Sequence, residues 1–161
     1  MLGPQDDYFT PEGIETFLSS PYLVSREADR MGYRLNGPRI AHARGYNIVS
    51  DGIVSGAVQV PGAGKPIVMM ADRQTTGGYP KLATVLSADL RLVAQRRAGE
   101  AIRFTAVSVA EANAVARDRA ELIRRLPASA RSAKRGRLAS EELLALNLAG
   151  AAVDALAREP E

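Results

Sequence analysis

Between Tyr22 and Ala71 the apolar residues come singly or in short runs of at most five, separated by polar residues and punctuated by proline, glycine and clusters of Asn, Asp and Ser. That rhythm leaves little choice of fold class. Parallel strands need a crossover of about a dozen residues or more, and the connections here are shorter, so the runs predict an antiparallel sheet or barrel. Strands are expected at 22–24, at 31–35 with Met31, Tyr33 and Leu35 on one side, and at 46–49 on Tyr46, Ile48 and Val49. After a turn at Ser50-Asp51-Gly52 come Ile53 and Val54, then Val58 and Val60, then the buried run 67–71. The fold class that follows is mainly β with peripheral helices, α+β.

Helical signals sit at the flanks. Thr10 as N-cap and Pro11 at the first helical position open a helix whose face carries Ile14, Phe17 and Leu18. Ser87 is the expected cap of a second helix bearing Leu90, Leu92 and Val93 and closed by Gly99, and residues 79–86 suit either strand or the lead-in to it. A strand follows on Ile102 and Phe104. Ser108 with Glu111 forms a capping box for a third helix, striped by Val115, Leu122, Ile123 and Leu126 and stopped by Pro127. Residues 128–137, ASARSAKRGR, read as a basic solvated linker before a last helix that starts at Ser140 and is broadly apolar.

With 161 residues, 46% hydrophobic and 24% charged, the chain is long enough for one domain with a real core, and residues 1–161 are read as one. Cysteine is absent, which removes disulfides, thiolate chemistry and Cys-built metal sites. A single histidine, His42, cannot build a His-rich metal site, and no metal is expected. The net charge of +3 does not by itself call for nucleic acid, and the basic segment lacks interleaved aromatic residues for stacking. No apolar stretch approaches the roughly 20 residues that span a membrane, so a cytoplasmic location is expected.

The stretch 50–79 concentrates the candidate chemistry. Its second strand empties into Asp72, Arg73, Gln74, Thr75, Thr76, Gly77, Gly78 and Tyr79: a carboxylate, a guanidinium, an amide, two hydroxyls and a backbone free to approach a ligand. Read from its residues alone, this is either a site loop or a hydrogen-bonded structural turn. Asn47 and Gln59, beside strand runs, either satisfy backbone groups or line a pocket. Lys65 is either a ligand-binding ammonium or a solvated turn lysine. The Gly62-Ala63-Gly64-Lys65 run is not a P-loop, because Gln59 and Pro66 stand where that loop needs Gly and Ser or Thr. Asp6 with Asp7, and Asp29 beside Arg30, are read as surface charge.

LGPQDDYF (2–9), SREADRMGYRLNGP (25–38), SDGIVSGAVQVPGAGKPIVMMADRQTTGGYPK (50–81) and LLALNLAGAAVDAL (143–156) together resemble the allophanate hydrolase subunit 2 family. That family includes a Kip-antagonist protein, the C component of bacterial ATP-dependent 5-oxoprolinase and a lobe of the urea carboxylase carboxyltransferase domain. The resemblance implies a cyclophilin-like antiparallel β-barrel and covers the family's carboxyl-terminal half, with the amino-terminal half absent. It implies a non-autonomous component of a 5-oxoprolinase-type amide or lactam hydrolase. Its partners would be a Kip-inhibitor-like subunit 1 homologue, the missing half and a lactam-utilisation protein. ATP would be bound by a partner and no cofactor by this chain. Two alternatives remain: a regulatory module that sequesters a histidine-kinase inhibitor, and a carboxyltransferase lobe working with biotin. On this resemblance Asp72, Arg73 and Gln74 would be catalytic. Lys65, Thr75, Thr76, Gly77, Gly78, Tyr79, Asn47 and Gln59 would hold the substrate.

Overall fold

The computed structural model describes residues 1–129. The first compact unit spans Met1–Arg125; the second, Leu126–Glu161, lies almost wholly outside the described residues, as do the expected basic linker from residue 130 on and the last helix.

A short 3-10 helix, Asp6–Tyr8, leads into α1 (Pro11–Ser19), whose Thr10 hydroxyl accepts from the Gly13 N–H at 3.0 Å as the N-cap signal predicts. The strands are β1 (Tyr22–Val24), β2 (Gly32–Asn36), β3 (Asp51–Gly52), β4 (Ala57–Gln59), β5 (Ile67–Met69), β6 (Thr76–Gly77) and β7 (Lys81–Thr84). After α2 (Leu90–Ala94) and β8 (Ala101–Ile102) comes α3 (Val109–Ser129). Of residues 79–86, Lys81–Thr84 thus form a strand, and the helix starts later. The capping box forms as read: the Ser108 N–H donates to the Glu111 carboxylate at 2.7 Å and the Glu111 N–H to the Ser108 hydroxyl at 3.2 Å.

Six strands form one sheet in the order β7-β4-β5-β2-β1-β8, every neighbouring pair antiparallel. β3 and β6 form a separate two-stranded ribbon. The expected barrel is not closed. Closure requires the two end strands to pair, and the outer edge of β7 is already taken by the chain's first residues. Gly3 donates to Leu82 O at 2.9 Å, Gln5 to Lys81 O at 3.1 Å, and Thr84 to Met1 O at 2.8 Å. The outer edge of β8 carries no strand among the described residues.

One face of the sheet holds the main core. Val58 and Val68 sit directly opposite each other with no exposed surface, joined by Val60, Leu35, Leu82, Tyr22, and Phe17 from α1. The other face carries a small cluster of Ile53, Ala57 and Met69 under the ribbon. Tyr22 alone among the described side chains has a sealed polar atom, its hydroxyl, without a partner.

Several local expectations fail for identifiable reasons. Residues 46–49 form no strand, and Val49 is 92% exposed. The predicted turn at Asp51-Gly52 is instead strand β3, because the pairing partner, Thr76-Gly77, comes from a distant loop. Tyr33 and Leu35 do pack towards the main core, but Met31 is half exposed: the Asp29 carboxylate accepts from the Met31 and Gly32 N–H groups and holds Met31 in a turn before the strand. The N-cap position of α2 is Asp89 rather than Ser87. Pro127 lies inside α3 rather than stopping it, and Val115, Leu122 and Ile123 of its expected apolar stripe are exposed.

Candidate functional site

Strand register defines the site. Arg34 of β2 stands opposite Ile67 of β5, Ile67 opposite Gln59 of β4, and Gln59 opposite Lys81 of β7. These four therefore form a row across one face of the sheet, the face away from the main core. Neighbouring strands lie about 4.8 Å apart, so Arg34 and Gln59 are about 9–10 Å apart across Ile67.

The ribbon covers the Lys81 end of this row. Lys81 Nζ lies 2.7 Å from Asp51 Oδ2, with the lysine side chain 3% exposed and the aspartate 54%. Gln5 completes the cluster, donating from Nε2 to Asp51 at 3.1 Å and accepting the Lys81 N–H at 3.0 Å. The hydrogen bond from Lys81, then the Gly52 N–H, Gln5 and the lysine charge, hold the Asp51 carboxyl below the usual aspartate range. Backbone N–H groups do the same for Asp29, and Ser108 does so for Glu111. A carboxyl whose folded pKa is depressed stabilises the fold above its unfolded pKa and loses that contribution as pH falls through the folded one. Stability is therefore expected to be flat near neutrality and to drop below the ordinary carboxylate range. Asp51→Asn should lower the neutral-pH melting temperature, by leaving the buried ammonium uncompensated, and should flatten part of the acid drop. Adding Lys81→Met should recover most of the loss. Melting curves of the two single variants and the double variant check this, and additive losses would contradict the pairing.

At the other end the row lies open as a groove of about 310 Å³, near the lower limit of small-molecule sites at roughly 300–1,000 Å³. Ile67, Met69 and Pro61 supply apolar surface; Arg34, Gln59, Gln74, Tyr79 and Asp29 supply polar groups. Gln59 is 2% exposed and donates from Nε2 to Tyr79 O at 3.4 Å, while its Oε1 accepts no hydrogen bond among the described residues. Gly77 lets the ribbon come this close: a Cβ there would stand 2.7 Å from Ile53 Cδ1 and 3.0 Å from Gln59 Nε2, with Gln74 Nε2 at 3.6 Å. A larger cavity of about 340 Å³, lined by Phe17, Leu18, Val93, Ile102 and Phe104, is mostly carbon-walled; its charged residues, Asp89, Arg96 and Arg103, are not joined by a buried unpartnered polar group.

Of the residues expected in a site, the groove gathers Gln59, Gln74 and Tyr79. The others lie elsewhere. Asp72 is paired bidentately with Arg30, at 2.7 and 3.1 Å. Arg73 directs its guanidinium to Ile53 O, the Ser55 hydroxyl and Met70 O at 3.1, 2.7 and 3.4 Å, stitching its own loop to the one before β4. The Thr75 carbonyl accepts from the Ile53 N–H, Thr76 and Gly77 form β6, and the Gly78 carbonyl accepts from the Ile48 N–H. Lys65 donates to the Asn36 side chain, at 3.1 Å, and Asn47 is exposed. His42 is held at 3.0 Å from Val60 O. Sequence reasoning missed Arg34 in the groove, left Asp29 as surface charge, and did not connect Lys81, Asp51 and Gln5. The available signal was strand alternation: Tyr33 and Leu35 facing the core put Gly32 and Arg34 on the opposite face.

Residues 1–106 match the family described as "Carboxyltransferase domain, subdomain A and B". The 5-oxoprolinase C component of Escherichia coli K12 is 41% identical over 110 residues, covering 68% of this chain and 36% of that protein. The protein of the same name from Haemophilus influenzae is 48% identical over 91 residues, covering 56% and 29%. The crystal structure of the K. lactis urea amidolyase superposes with a TM-score of 0.70 at 28% identity, over 75% of this chain and 8% of that one. This chain thus spans about a third of the length of the curated 5-oxoprolinase relatives, and the family match ends before the 143–156 segment that also carries the resemblance. With the match covering well over half its length, the chain belongs to the carboxyltransferase-domain family, subdomains A and B.

Proposed function

We propose that this chain supplies the amide-holding groove of a 5-oxoprolinase-type lactam hydrolase. It works with a subunit 1 homologue, a lactam-utilisation protein, and the remaining part of the length its relatives have. ATP binds on a partner, since the Gly62–Lys65 run is a turn closed by the Gly64 N–H on Pro61 O, at 2.8 Å, with Pro66 directly after it. The observation that carries the reading is the buried Gln59 amide, which lines the groove and whose Oε1 accepts no hydrogen bond among the described residues. It offers an acceptor to a lactam N–H, while the Gln74 amide offers a donor to the lactam carbonyl, so the amide plane is held at both polar atoms. Likeness to the C components of two 5-oxoprolinases supports the reaction class.

The likeness to urea amidolyase supports a second reading, a carboxyltransferase lobe that passes a carboxyl group from biotin to urea. The test is ATP-dependent release of glutamate from 5-oxoproline by the co-expressed complex. Release is expected, should require this chain, and should fall at least tenfold with Gln59→Leu. Biotin-dependent carboxylation of urea, without glutamate release, would select the second reading.

A further inference from the structure

We propose that Arg34 reads a carboxylate, so that the groove takes a small cyclic amide bearing an anionic group and excludes a neutral amide such as urea. This rests on the amide being held in the groove by Gln59. Four observations lead to it. Arg34 is exposed in the groove wall, and its guanidinium makes no hydrogen bond or ion pair among the described residues. The other cations of this region are committed: Arg73 to three oxygens of its own loops, Lys81 to Asp51 and Lys65 to Asn36. The register sets Arg34 and Gln59 on either side of Ile67, which gives the polar ends an apolar floor between them. That separation, about 9–10 Å between backbones, suits a five-membered ring lying on Ile67, with its N–H at Gln59 Oε1 and its carboxylate at the guanidinium fork. Asp29, on the same rim, is tethered through Oδ1 to the Met31 and Gly32 N–H groups at 2.9 and 3.0 Å; it feels the Arg34 charge at a distance and forms no ion pair with it.

The test titrates the isotope-labelled 161-residue chain with 5-oxoproline, 2-pyrrolidinone and urea, following backbone and glutamine side-chain NMR signals. With 5-oxoproline, shifts are expected at Gly32, Ile67 and the Gln59 amide. The same ring without a carboxylate, 2-pyrrolidinone, should bind roughly ten- to a hundredfold more weakly, and urea weaker still. Arg34→Gln should weaken 5-oxoproline to the level of 2-pyrrolidinone without changing the latter. Arg34→Lys, which keeps the charge and loses the fork, should fall between. Arg34 is exposed, so neither variant should shift the melting temperature, and this separates a lost contact from a lost fold. Absence of 5-oxoproline binding, equal binding of the two lactams, or indifference to Arg34→Gln would overturn the proposal. Glutamate release by the complex, measured separately, decides the reaction. Arg34-dependent binding without turnover would leave the carboxylate reading standing and remove the hydrolase, and turnover indifferent to Arg34→Gln would do the reverse.

Discussion

Phe17→Ala is expected to lower the unfolding free energy by about 3–5 kcal/mol, the range for truncating a fully buried aromatic residue. Phe17 is 1% exposed and is the most deeply buried large side chain of α1, with Ile14 and Leu18 packed beside it against the core. Its ring stacks on Phe104 at 4.5 Å between centroids and meets Tyr22 at 6.0 Å. Two features place the loss at the upper end. Phe17 borders the 340 Å³ apolar cavity, so the new void joins an existing one and cannot be closed by a small side-chain shift. Helix α1, nine residues long, is too short to persist on propensity alone and depends on this contact. Chemical denaturation measures the effect, with Phe17→Leu expected to lose less. A loss under about 1 kcal/mol would show that α1 does not dock through this ring.

Gly56→Ala is the second severe substitution, with an expected loss of about 3 kcal/mol from two independent causes. Gly56 has φ +87°, and a side chain in the left-handed region costs about 1–2 kcal/mol. The added Cβ would also stand 2.6 Å from Val85 O, a backbone atom that cannot rotate away. The strand ends are fastened at this point: Gly56 N–H donates to Met69 O at 2.7 Å and Gly56 O accepts from Val85 at 2.8 Å. Relief of the clash therefore breaks hydrogen bonds worth about 1 kcal/mol each. Gly45 provides the control, since it shares the positive φ, at +87°, and has no atom within 4 Å of its Cβ position. Gly45→Ala should show the conformational cost alone, and equal losses at the two sites would remove the steric part of the argument.

The amino-acid sequence is most legible where structure is decided within one turn of chain. Thr10 with Pro11, and Ser108 with Glu111, satisfy N–H groups three residues away, and both caps form as read. Tyr46, Ile48 and Val49 have strand composition but pair with no strand, and both edges of β7 are already taken, by β4 on one side and by residues 1–5 on the other. Asp51-Gly52 looks like a turn and becomes a strand because a segment more than twenty residues away pairs with it. The same limit governs the site. The composition of residues 72–79 marks a polar loop correctly, yet whether a guanidinium turns to a ligand or to Ser55 depends on where another loop lies. Arg34 is hidden for the opposite reason, since an outward-facing arginine on a strand looks like any solvated one until the register shows what stands across from it.

Among the described residues no strand covers the outer edge of β8, and this bears on how copies of the chain behave when crowded. Unpaired strand edges are templates on which one sheet extends into another, and proteins keep such templates short and flanked by charge. β8 is two residues long, bounded by Glu100 and by Arg103, whose guanidinium is drawn back onto Ser19 O at 3.1 Å. An incoming strand would find a two-residue ladder between ionic side chains, too little to hold it. Among the described residues, the unclosed end of the sheet thus offers no ladder long enough to seed a fibre.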